Sequence, residues 1–182
     1  MAPLLFPLLA LLMAAAGVYW LGTSAKTTVV VLVRHAEAGE GSSGDPDLSA
    51  AGEKRAAALG PLLDELLADR KVDYLYAADT RRSQQTAAPI ANQFRLPINV
   101  LAGSDWARLA SRIRREHRGE TVVVVGYATT LPGVINQLSG QELAMGENEF
   151  DSLYLVVLPS PGETRLFRLR YGPQNALASA SR

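Results

Sequence analysis

The sequence predicts an α/β protein, a three-layer α/β/α sandwich built on a mostly parallel central sheet. Three observations lead there. Two runs, Thr27 to Val33 (TTVVVLV) and Thr121 to Val125 (TVVVV), are continuously apolar and β-branched, the pattern of strands covered on both faces. Helical stretches lie between them and alternate with further strand candidates, which is how parallel sheets are wound. Polar, chemistry-bearing residues follow several strands at once, and in open α/β sheets ligands bind beyond the carboxyl ends of the strands.

The elements follow in order. After the first strand, Ser49 can cap a helix running to about Ala68, with Gly60-Pro61 expected to bend or interrupt it. Val72 to Ala77 reads as a strand, Arg82 to Phe94 as a helix and Ile98 to Leu101 as a short strand. Ser104 or Asp105 can cap a helix that ends at Gly119, and Asp105 reads as that cap rather than as a general acid. Leu131 to Leu138 follows the second hydrophobic strand as a helix and stops at Gly140. Ser152 to Leu158 and Thr164 to Tyr171, joined by Pro-Ser-Pro-Gly, read as a hairpin at a sheet edge.

Composition excludes several kinds of chemistry. Among 182 residues there is no cysteine, so disulfides, thiolate zinc sites and a cysteine nucleophile are absent. Two histidines, His35 and His117, are too few for a histidine metal cage, and neither a metal nor a cofactor is expected. Eighteen basic and 18 acidic side chains cancel, which gives no electrostatic reason to expect a nucleic-acid partner.

The charges are unevenly placed: none precedes Lys26. Residues 1–25 form a separate segment whose apolar run, Ala2 to Gly22, matches the roughly 20 residues that cross a bilayer as a helix, with Tyr19 and Trp20 near one end. A retained membrane anchor is the first reading and a signal peptide cleaved after Ala25 the second. Residues 26–171 are one domain's worth of chain without linker or repeat, and residues 172–182 are a tail.

Arg34-His35-Ala36-Glu37 follows the first strand, Asp79-Thr80-Arg81-Arg82 the second, and Gly126-Tyr127-Ala128-Thr129-Thr130 the buried strand before the last helix. A neutral imidazole can attack phosphorus while guanidinium forks hold phosphoryl oxygens, so histidine beside arginine at such a mouth suggests phosphoryl transfer without a metal. Glu37 reads either as a proton donor to the leaving group or as a solvated or salt-bridged carboxylate. Arg81 reads as a surface residue, Thr86 and Thr130 as local helix-end or packing groups, and His117, among Arg112, Arg114, Arg115 and Arg118, as part of a solvated basic face.

These residues resemble the histidine phosphatase superfamily, also called phosphoglycerate mutase-like, over nearly all of Lys26 to Tyr171. Val-Leu-Val-Arg34-His35-Ala-Glu is similar to the Arg-His-Gly/Ala signature, Leu48-Ser49-Ala-Ala-Gly52 to the following helix start, and Arg82-Ser-Gln-Gln-Thr86 to the second arginine motif. The resemblance is greatest to short bacterial members with an exported or membrane-anchored N-terminus. It implies a phosphoglycerate mutase-like fold, His35 as nucleophile and transient phosphohistidine, and Arg34 and Arg82 as ligands of the phosphoryl group.

It also implies a second histidine where this chain has Tyr127, followed by Ala128 and Thr129 in place of the usual serine and asparagine. Tyrosine keeps a donor but stays neutral, so Tyr127 either acts on the phosphoryl group or fills space. Two functions follow: a phosphomonoesterase working through His35, or a pseudophosphatase, a membrane-tethered module that binds a phosphorylated ligand or a protein without turnover. A mutase is disfavoured by the short chain. The resemblance places the domain on the exported, periplasmic side of the membrane, whereas Lys26, the one basic group near the apolar run, favours a cytoplasm-facing anchor.

Overall fold

The computed structural model describes residues 12–13, 26–40, 44–103 and 105–172. The expected anchor or signal segment, the Ser104 cap and the tail beyond Gly172 lie outside the described residues. Among the described residues, no helix is long and apolar enough to cross a membrane.

Six strands form one sheet in the order β3-β2-β4-β1-β5-β6. They are β1 (Lys26–Arg34), β2 (Tyr74–Ala78), β3 (Ile98–Leu101), β4 (Thr121–Gly126), β5 (Ser152–Ser160) and β6 (Arg165–Arg170). Strands β3, β2, β4 and β1 are mutually parallel, and β5 and β6 add an antiparallel hairpin at the edge. Four helices flank the sheet among the described residues: α1 (Ala50–Leu67), α2 (Arg81–Phe94), α3 (Asp105–Glu116) and α4 (Leu131–Ser139).

The two valine runs are the centre of this arrangement. Every residue of β4 and the middle six of β1 are buried. Because successive side chains alternate across a strand, each run feeds both layers. Val30, Leu32, Val122 and Val124 pack with Trp106, Leu109 and Ile113 of α3 and Ile135 of α4. Val29, Val31, Val33, Val123 and Val125 face Leu59 and Leu63 of α1 and Ile90 of α2. The three layers match the fold class read from the sequence.

Two local expectations are corrected. Gly60-Pro61 neither ends nor splits α1, which runs unbroken with Pro61 inside it. Gly60 is buried against α2, where a Cβ would sit 3.3 Å from Cβ of Gln93, so tight interhelical packing holds the helix through the missing amide. His117 is not on a solvated face. It is buried at 4% exposure, its ring nitrogens bond Tyr76 Oη at 2.8 Å and the Glu120 carboxylate at 2.9 Å, and Tyr74 packs on it at 4.1 Å between ring centroids. α3 therefore stops at Glu116, and the chain turns through Gly119 at φ +85°.

Candidate functional site

Register builds the site. Arg34 is paired with Gly126 across β1 and β4, and the His35 amide donates to the Gly126 carbonyl at 3.0 Å, so the next residues, His35 and Tyr127, emerge side by side. Ala77 of β2 pairs with Val125, which brings Asp79, Thr80 and the start of α2 to the same mouth. Four of the residues singled out in the sequence, Arg34, His35, Arg82 and Tyr127, converge there.

The His35 ring has a defined tautomer. Its Nδ1 lies 2.8 Å from the Ala36 carbonyl oxygen, which can only accept, so Nδ1 carries the proton. Arg82 Nε donates to Nε2 at 3.3 Å, which requires the lone pair there. Burial, opposed by the Ala36 hydrogen bond and aided by the Arg82 and Arg34 cations, pushes the imidazole down to about 4. It is therefore neutral and nucleophilic at Nε2 throughout the physiological range.

The same shift makes a stability prediction. Between about pH 4 and the unfolded value of 6.5, the unfolded chain binds more protons than the native one, so stability rises with pH through that window and is lost as pH falls. The loss amounts to at most about 3 kcal/mol. Urea unfolding from pH 7 to 4.5 should show this slope, and His35→Gln should flatten it. Glu37 and Glu149, held below the ordinary carboxyl value of 4.5, stabilise the fold above that value and add to the loss only from the low end of the window downward.

The loop carrying His35 is held from two sides. Thr86 of α2 is buried, accepts from the Ala36 amide at 2.9 Å and donates to the Arg82 carbonyl at 2.7 Å. Thr86 thus links the backbone beside His35 to that of Arg82. From the other side, Ser49 caps α1 by accepting from the Gly52 amide at 3.1 Å, and its own amide donates to the Glu37 carbonyl at 2.9 Å. A Cβ at Gly52 would fall 2.2 Å from that carbonyl oxygen, so only glycine permits this approach.

Glu37 occupies the salt-bridged one of its two expected roles. Arg55 of α1, 3% exposed, grips both carboxylate oxygens with Nε at 2.9 Å and Nη2 at 2.7 Å, and its Nη1 donates to the Tyr171 carbonyl at 3.2 Å. Burial raises the Glu37 carboxyl, but the Arg55 hydrogen bonds outweigh it and hold the group ionised. An ionised, doubly gripped carboxylate is not placed to give a proton to a leaving group. Arg55→Met would strand the charge, a change that costs about 3–5 kcal/mol. Urea unfolding should show that loss, and Arg55→Met with Glu37→Gln should recover much of it.

Arg34 and Arg82 flank the imidazole with unequal freedom. Arg34 Nη1 donates to the carbonyls of Gly146 and Glu147, and its guanidinium lies 4.1 Å from the centre of the Phe150 ring. Burial and the Arg82 cation lower its proton affinity. Its Nε is buried with no partner among the described residues, an unsatisfied donor. Besides its bond to His35, Arg82 makes a long ion pair to Asp45 at 3.5 Å. Arg81 is at the surface, 62% exposed and paired with Asp47.

Tyr127 turns its hydroxyl away from the imidazole. It donates to Asp79 Oδ1 at 2.9 Å and lies 3.3 Å from Thr80 Oγ1, and burial raises its proton affinity. Its ring presents an edge to His35 at 6.1 Å, Trp106 packs behind it at 6.2 Å, and the Arg82 guanidinium lies 5.8 Å from its centre. Thr130 accepts from the Tyr127 amide at 3.3 Å. His117 sits at the opposite end of β4 and takes no part in the site.

Residues the motifs did not single out complete it. Phe150 is 6.0 Å from the His35 ring and stacks on Arg34. Glu149 accepts from Tyr154 Oη at 2.8 Å, from Arg168 at 2.9 Å and from the Gly146 amide at 3.2 Å, and so fixes the carbonyls that hold Arg34. A cavity of about 670 Å³ opens beside rather than over His35, lined by Glu37, Arg55, Glu149, Phe150, Asp151 and Tyr171 among others. Among the described residues no cluster of three potential metal ligands occurs.

Residues 30–105, under half of the chain, match the sequence model of the histidine phosphatase superfamily (branch 1). No curated protein matches. The structure is similar to that of the protein histidine phosphatase SixA complexed with tungstate, at TM-score 0.62 and 17% identity over 78% of this chain and 96% of that one. It is also similar to phosphoglycerate mutase from Plasmodium falciparum, at TM-score 0.60 and 18% identity over 83% and 97%. A mycobacterial glucosyl-3-phosphoglycerate phosphatase complexed with inorganic phosphate gives TM-score 0.56 and 17% identity over 79% and 97%. These likenesses establish a phosphoglycerate mutase-like fold, and with the sequence match they support the histidine phosphatase superfamily.

Proposed function

We propose that this chain is a metal-independent histidine phosphatase that hydrolyses a phosphomonoester through a phosphohistidine on His35. One observation carries the reading: a neutral imidazole, fixed with its Nε2 lone pair outward and met there by the Arg82 guanidinium, at the mouth of the parallel sheet. In the first step Nε2 attacks phosphorus in line, the P–O ester bond breaks, and the leaving oxygen takes a proton from solvent water. Arg82 and Arg34 hold the phosphoryl oxygens as charge builds on them. In the second step water attacks phosphorus, the N–P bond breaks, and phosphate leaves with the imidazole restored. The cavity beside His35 offers space for the leaving group.

The similarity to a protein histidine phosphatase makes a phosphorylated protein side chain one substrate class to set beside a small aryl phosphate. The charge-free run from Ala2 to Gly22 supports work at a membrane, and the family resemblance, not this run, favours a domain exported to the periplasmic side. The deciding experiment is rapid acid-free quenching of the full-length chain during turnover of an aryl phosphate. One acid-labile phosphate per chain, mapped to His35, is the expected result, and turnover without it would sink the mechanism.

A second reading has its own observation. The Tyr127 hydroxyl is donated to Asp79, so the position that would supply a second cationic donor supplies none to the phosphoryl group. A pseudophosphatase that binds a phosphorylated ligand without turnover fits this, and saturable phosphate binding in a chain inert towards every phosphoester tested would favour it.

A further inference from the structure

At the end of the sheet opposite His35, Lys26 of β1, Arg114 of α3 and Arg118 just after it line one cavity of about 160 Å³, closed by Thr28, Leu158 and Ser160. Three cations converge there, and among the described residues none of them is within salt-bridge distance of a carboxylate. The nearby acids are engaged elsewhere or lie outside the cavity lining: Glu116 with Arg115, Glu120 with His117, and Glu163 in the β5–β6 turn. Arg118 Nη2 donates to Ser160 Oγ at 2.9 Å, and Arg114 donates to the Leu138 carbonyl, so both guanidinium groups are held in place with donors to spare. The Lys26 stem lies against Gly119, where a Cβ would come within 3.1 Å. The glycine leaves room for the lysine to reach the rim.

We propose that this cluster binds the phosphate of an anionic phospholipid headgroup. The ligand chemistry follows from three unpaired cations around a space large enough for a phosphate group. The source follows from the sequence, because Lys26 is the first charged residue after the apolar run Ala2 to Gly22, so the expected membrane segment joins the domain at the rim of this cavity. β1 then runs nine residues from Lys26 to Arg34, which at about 3.3 Å per residue sets the catalytic mouth about 26 Å farther from the lipid surface. The domain is seated with its active site facing the aqueous phase, suited to a soluble phosphoester rather than a lipid one. This inference stands apart from the phosphatase reading.

Native mass spectrometry of the full-length chain in neutral detergent tests it, with short-chain phosphatidylglycerol, phosphatidylcholine and inorganic phosphate as probes. One phosphatidylglycerol should be retained in preference to phosphatidylcholine. Each cation near a lipid surface contributes about fivefold, so Lys26→Gln with Arg114→Gln and Arg118→Gln should weaken retention by about 100-fold or more while leaving aryl phosphate hydrolysis unchanged. If the triple variant does not fold, Lys26→Gln alone should lower retention about fivefold, and Lys26→Arg should restore it. Equal retention of phosphatidylcholine, unaltered lipid binding in the variants, or loss of inorganic phosphate binding with no effect on lipid would each overturn the proposal.

Discussion

His35→Ala is expected to lower aryl phosphate turnover by about 10⁴-fold or more, because removing the group that forms the covalent intermediate removes the pathway itself. The effect should fall on kcat more than on the fold, since the loop that carries the ring is held by Thr86 and by the Ser49 cap of α1. Arg82→Lys makes a sharper companion. Lysine keeps the charge but loses the planar fork that faces both Nε2 and the phosphoryl oxygens, so the loss should be intermediate and shared between kcat and KM. Thermal unfolding beside the kinetics separates the two effects. A His35→Ala chain that unfolds normally and still turns over at the natural rate would remove His35 from the chemistry.

Much of this site is legible in the sequence because it depends on strand ends. The runs of β1 and β4 are too apolar to be anything but central strands, and parallel register then fixes which residues leave the sheet together: His35 beside Tyr127, with Asp79 one strand away. The Arg82-to-Thr86 spacing is one helical turn, which is how Thr86 can hold the Arg82 carbonyl and the Ala36 amide at once. A reading of Thr86 as a local packing group therefore understates it.

What the sequence did not disclose depends on backbone or on distant partners. Arg34 is fixed by the carbonyls of Gly146 and Glu147, and a carbonyl carries no residue signature. Glu37 has Arg55 as its partner, 18 residues away across the start of α1. The clue was there: Arg55 lies on the buried stripe that includes Gly52, Ala56, Leu59 and Leu63, and a charge on an apolar face needs a counter-charge. For His117 the surrounding arginines misled. Residues four apart share a helical face, and His117 follows the buried Ile113 by four with its amide on the Ile113 carbonyl, while Arg114, Arg115 and Arg118 lie exposed off that face. The unbroken α1 is a case of tertiary packing overriding a local breaker, since the Gly60 contact with Gln93 exists only once α2 is in place.

Tyr127→His is expected to raise turnover by about 10² to 10³-fold, the size of effect that one preorganised donor to a developing phosphoryl charge supplies. The natural side chain spends its only proton on Asp79, 2.9 Å away, and sets the edge of an apolar ring against His35. An imidazole is too short to span to Asp79 from the end of β4 as the phenol does. Its ring nitrogens would instead lie level with His35, with Arg82 above, where a donor can meet a phosphoryl oxygen. The exchange trims the contact with Trp106, and a loss of about 1–2 kcal/mol in urea unfolding is the expected accompaniment. Kinetics on an aryl phosphate then separate the two functional readings. A slow natural enzyme accelerated by the variant means that Tyr127 tunes a working phosphatase. A silent natural chain brought to life by it means that the nucleophile and both arginines are intact and that Tyr127 alone holds the site in a binding role. No change in either direction would say that neither the hydroxyl bridge to Asp79 nor the missing imidazole sets the rate at this position.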